Sequence, residues 1–125
     1  MTDVLFTATV AASDQDDQCS VIAVGNSVQY LELQRSREGL YLEVARTNSA
    51  EAEPVGMHSG IVGITLDSKR LEVRLSADGC RQLGTEQRIH IPLRLSADET
   101  ALLREKLREI TADLIAFDEA LHAAA

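Results

Sequence analysis

The sequence predicts an α+β domain: a mostly antiparallel sheet of about six or seven strands, with one short helix and one long C-terminal helix on one face. Three observations carry this. Runs of alternating apolar and polar residues recur from Val4 to Leu95, the period of a half-buried strand. Clusters of turn-forming residues separate most of them. The tetrad Leu-Ser-Ala-Asp occurs twice, at 75–78 and 95–98, each time where alternation gives way to helical spacing. The length of 125 residues fits one domain, 1–125.

In chain order, Val4 to Ala12 and Val21 to Val24 read as a hairpin around the polar stretch Ser13–Gln18. Tyr30 to Arg35 alternates, with Leu31 and Leu33 on one face and Tyr30, Glu32 and Gln34 on the other. Glu38-Gly39 turns the chain into Leu40 to Val44, with Leu40, Leu42 and Val44 inward. From Arg46 to Gly60 the pattern dissolves into a long polar segment, either a functional loop or an insertion. Val62, Ile64 and Leu66 then share a face, and Leu71 to Leu75 pairs back after Asp67-Ser68. Ser76 caps a short helix that ends at Gly84, with Cys80 as a small buried hydrophobe. Ile89, Ile91, Leu93 and Leu95 alternate cleanly, and Pro92 marks that strand as an edge or a bulge.

Ser96 and Glu99 then form a capping box. Leu103, Leu107, Ile110, Leu114, Phe117 and Leu121 follow at spacings of four and three, so a helix is expected from Ala97 to about His122. Such a helix outruns the sheet. Either Ile110, Leu114, Phe117 and Leu121 pair with the same helix of a second copy, or the helix bends, breaks or packs over the N-terminal hairpin.

Composition narrows the function. A net charge of −8 argues against nucleic acid and anionic membranes, and suits a basic protein partner or plain solubility. With two Phe, two Tyr and no Trp, the core must be aliphatic. Cys19 and Cys80 make no disulfide framework, the N-terminus lacks a signal-peptide pattern, and no long apolar run is present. The expected compartment is the cytoplasm, with both thiols reduced.

No cofactor, metal or catalytic site is expected. His58, His90 and His122 lack a His or Cys at ligand spacing. The Gly56–Gly63 stretch has no Lys and leads into a strand, so it is no phosphate loop. Ser59 adjoins His58 without the geometry of a nucleophile, and Glu32 with Glu43 on one sheet face reads as solvation before acid–base chemistry.

The order Tyr30-Leu31-Glu32-Leu33-Gln34-Arg35-Ser36, Leu40-Tyr41-Leu42-Glu43-Val44, Gly60–Leu66, Lys69–Ser76, Arg88–Ile91 and Leu102–Ile110 resembles the immunity protein 10 family of bacterial polymorphic toxin systems. The resemblance covers Tyr30 to Ile110 and leaves 111–125 as a helical extension. It implies a cytoplasmic antidote that binds and neutralises a toxin domain stoichiometrically. The alternative is a homo-oligomeric structural or regulatory protein without a toxin partner. The acidic groups Asp14, Asp16, Asp17, Glu51 and Glu53, together with His58, are the candidate toxin-binding residues. The segment Ala50–His58 departs from the family's Gly- and Tyr-rich loop, which implies a different partner specificity.

Overall fold

A computed structural model describes residues 2–45 and 54–119. In chain order the described elements are β1 (Thr2–Val4), β2 (Val10–Gln15), β3 (Ser20–Gly25), β4 (Tyr30–Ser36), β5 (Gly39–Ala45), β6 (Val55–His58), β7 (Ile61–Leu66), β8 (Arg70–Leu75), α1 (Ala77–Leu83), β9 (Arg88–Pro92), α2 (Ala97–Thr111) and β10 (Ala116–Glu119). The α+β class holds. The single sheet does not: the strands form two five-stranded sheets, ordered β1-β9-β8-β7-β10 and β2-β3-β4-β5-β6.

The second sheet is an antiparallel meander. Its centre follows the alternation in the sequence, with Leu31, Leu33, Leu40, Leu42 and Val44 all buried. In the first sheet β7, β8 and β9 are antiparallel, while β1 and β10 join the edges in parallel. Each sheet has one apolar face to remove from water, and the two faces cover one another together with α2. At the centre a void of about 10 Å³ is bounded by Ile22 and Leu33 of one sheet, Ile64 and Val73 of the other, and Leu103 and Leu107 of α2. An apolar void of that size stays dry.

The N-terminal run is divided between the sheets. Thr2–Val4 pairs with β9, and only Val10–Gln15 forms the expected hairpin with β3. Between them Phe6 and Ala8 are buried. Pro92 does not make β9 an edge, because β9 lies between β1 and β8. It falls where the pairing with the N-terminal segment is interrupted, between the Leu5 N–H on the His90 carbonyl (3.1 Å) and the Ala8 N–H on the Pro92 carbonyl (2.8 Å). Val62 departs from its expected inward face. The β7–β8 register shifts between Ile61 and Gly63, a bulge that turns Val62 out to 56 % exposure.

Both helix starts are as expected. Ser76 accepts the Gly79 N–H, and Ser96 and Glu99 form a complete capping box. The Glu99 carboxylate also takes the Ala11 N–H at 2.9 Å, which ties α2 to the edge strand β2. That bond, then the one from Ser96 N–H, holds the carboxyl below its ordinary pKa.

The end of α2 is corrected. The helix stops at Thr111, and its apolar stripe does not continue into a helical seam. Asp113 takes a left-handed conformation (φ 64°), and Ala116–Glu119 runs as a strand parallel to β7. Arg35 seals the break, its guanidinium donating to the carbonyls of Glu109, Ile110 and Ala112 at 2.8–3.4 Å. Donors and positive charge at a helix C-terminus satisfy its free carbonyls and its dipole. Of the two readings of the C-terminal stripe, the break is the one found. Ile110 is fully buried in the core, Leu114 is exposed, and Phe117 packs half-buried from β10. Ile110 is therefore closed to a second copy. Leu121 and the rest of 120–125 lie outside the described residues.

Candidate functional site

The outer face of the second sheet collects the side chains that alternation turned away from the core. Register sets them in rows. One row is Asp14, Val21, Gln34, Tyr41 and His58; the next is Ala12, Ala23, Glu32, Glu43 and Gly56. Val10 and Tyr30 stand one row further along. All of these side chains are exposed or half-buried, so among the described residues nothing is packed onto the face. Asp14 and His58 end the same row on opposite edges, about 19 Å apart at the usual strand spacing.

Glu32 and Glu43 are direct cross-strand partners. Like charges so placed repel by roughly 0.2–1 kcal/mol. Among the described residues no Lys or Arg pairs with either carboxylate. The neighbouring hydroxyls and an amide compensate instead. Tyr30 donates to Glu43 Oε2 at 2.5 Å, Tyr41 donates to Glu43 Oε1 at 2.9 Å, and Gln34 donates to Glu32 Oε2 at 3.0 Å. Tyr41 reaches across its neighbour because Gly56 has no side chain; a Cβ there would run into the phenol. Its ring also meets the His58 imidazole, centroids 4.8 Å apart.

Sharing one carboxylate changes how both phenols titrate. The hydrogen bond to Glu43, then burial, then the carboxylate charge push Tyr30 up to about 12, and the same causes in the same order raise Tyr41. A raised folded-state pKa adds stability that is complete below the ordinary phenol range of ~10 and is lost as pH rises through the raised value. These are the chain's only tyrosines, and it has no Trp. An alkaline titration followed by tyrosinate absorbance is therefore expected to show both ionising late, with Tyr30 near about 12. Glu43→Gln is expected to bring both down. Ordinary phenol values in the unaltered protein would refute the shared hydrogen bond.

The other candidates are placed as follows. Asp14, Asp16 and Asp17 are exposed at the β2–β3 end of the second sheet. Asp16 Oδ1 accepts the N–H groups of Gln18 and Cys19, so part of that cluster builds the turn. Burial, then the charges of Asp16, Glu32 and Asp14, raise the Cys19 thiol, which keeps it protonated. Glu51, Glu53 and His122 lie outside the described residues. Ser59 donates to the His58 carbonyl at 2.7 Å. On the first sheet's outer face His90 Nε2 stands 3.2 Å from Glu72 Oε1, close enough for an ion pair but out of line for a hydrogen bond. Among the described residues no three His, Cys, Asp or Glu side chains converge as a metal site, and no helix is long and apolar enough to cross a membrane.

The chain matches no family model, no curated protein and no solved structure. The reading of the face therefore rests on its own chemistry. It joins two tyrosines, the residue type enriched at binding hot spots, to two carboxylates that no Lys or Arg among the described residues neutralises, beside the small apolar patch of Val10, Ala12, Val21 and Ala23. The sequence assigned the acidic turns and His58 to binding. It passed over Tyr30 and Tyr41, although both of its tyrosines sit at polar-face positions of neighbouring strands.

Proposed function

We propose that this protein is an antitoxin-like immunity protein of the cytoplasm that binds a basic toxin domain stoichiometrically through the outer face of its second sheet. One observation carries the reading: the Glu32–Glu43 pair, which no Lys or Arg among the described residues neutralises, framed by two half-buried tyrosines on a face that no described residue covers. A Lys or Arg from a partner relieves the repulsion between the carboxylates and gains two acceptors, while the phenol rings supply rigid contact area. The net charge of −8 steers a cationic partner toward it. The homo-oligomer reading rests on a helical seam through Leu114, Phe117 and Leu121, whereas α2 ends at Thr111.

Co-expression with the toxin encoded by the neighbouring gene tests this. The intact protein is expected to restore growth and to form a one-to-one complex. Glu43→Lys is expected to weaken that complex by at least ~30-fold, the loss typical of a hot-spot residue. Killing that persists at matched expression overturns the immunity reading. Rescue that survives charge reversal at both Glu32 and Glu43 overturns the assigned face.

A further inference from the structure

The outer face turns a corner at His58, whose imidazole meets Tyr41 on one side and borders a cleft of about 320 Å³ on the other. The cleft opens between the β4–β5, β6–β7 and α2–β10 connections. Its apolar walls are Leu40, Ile61, Leu114 and Ile115, and Glu38 is the only carboxylate among its lining residues. Leu114 is 46 % exposed there, a large apolar side chain left in water. The only non-glycine residues at positive φ among those described, Ser59 (51°) and Asp113 (64°), lie in two of these connections. Such conformations cost energy and persist where the surroundings hold them, often at binding sites.

We propose that this cleft is the anchor socket of the docking surface, taking one apolar side chain that stands next to a Lys or Arg in the partner. The inference rests on the docking face assigned above and adds the partner's recognition element. The apolar walls and the charge at the rim choose the occupant. The cleft is at the small end of ligand pockets, and it takes the largest apolar side chain whole. Glu38 at its rim, and Glu43 behind Tyr41, favour a cation beside that side chain. An apolar anchor in a pocket ringed by polar groups is the usual form of an interface hot spot.

Selection of a random-peptide display library on the intact protein tests this without knowledge of the toxin. Enriched peptides are expected to place Leu, Ile, Met or Phe beside Lys or Arg. Leu114→Ser is expected to weaken them at least ~10-fold, Leu114→Met to keep them, and Glu43→Gln to weaken them independently. Replacing the peptide's apolar residue with Ala should matter for the intact protein and little for Leu114→Ser. Basic peptides with no apolar preference, lost on Glu43→Lys but indifferent to Leu114→Ser, overturn the socket and leave the docking face standing. Acidic peptides, or no enrichment, count against both. Concentration-dependent dimers in sedimentation that Leu114→Ser abolishes would put a second copy in the cleft and overturn the proposal.

Discussion

Replacing Ile110 with Ala is expected to destabilise the fold by about 2–5 kcal/mol. Its side chain is fully buried in the last turn of α2, in the core that Leu103 and Leu107 also fill. Its carbonyl lies under the Arg35 guanidinium, so the backbone there cannot easily collapse into the vacated space. A cavity that its walls cannot close keeps its full cost. Urea denaturation should show a lower midpoint with an unchanged slope. The loss should be the same at every protein concentration, because the contacts are made within one chain. A loss below about 1 kcal/mol, or one that grows on dilution, would return Ile110 to a helix seam between two copies.

That residue also marks the limit of what the sequence could tell. Ile110, Leu114 and Phe117 satisfy a four-three helical spacing, while Ile115, Phe117 and Glu119 satisfy the two-residue period of the strand that forms. Over so short a window the two patterns share residues, and local periodicity cannot choose. The choice is made by Arg35, more than seventy positions earlier, and by a parallel edge on β7. The same limit hid β1, whose partner β9 begins only at Arg88, far along the chain. Strand β6 lies in the segment read as structureless, where Gly56 and His58 break the alternation and Met57 alone is buried. By contrast β4 and β5 were legible face by face, because a tight local turn fixes their register and one face of each is fully apolar. The placement of Glu32 and Glu43 on one face followed from that. That no Lys or Arg among the described residues pairs with them did not, since it depends on which strands lie alongside and what those strands carry.

Gly79→Ala is expected to reverse the usual sign of a glycine-to-alanine change in a helix. Inside α1 the replacement should stabilise by up to about 1 kcal/mol, through lower backbone entropy in the unfolded chain. At this position a Cβ would lie 2.6 Å from the Gly60 carbonyl oxygen and 3.1 Å from its carbonyl carbon. The obstacle is backbone, so no side-chain rotation relieves it. Gly60 is also fixed, because its carbonyl accepts the N–H of Ser76, the cap of the same helix, at 2.8 Å. Separating the two segments weakens that bond and the seat of α1 together. The overpacking is expected to outweigh the entropic gain, for a net loss of roughly 1–3 kcal/mol in urea denaturation. Gly60 lines the same cleft as Ile61 and Leu114. The variant should therefore also weaken the peptides selected on the intact protein, at temperatures where it remains folded. A Gly79→Ala protein that gains stability would show that the two backbones do not approach so closely, and one that loses stability but keeps peptide affinity would separate the cleft from the α1 contact.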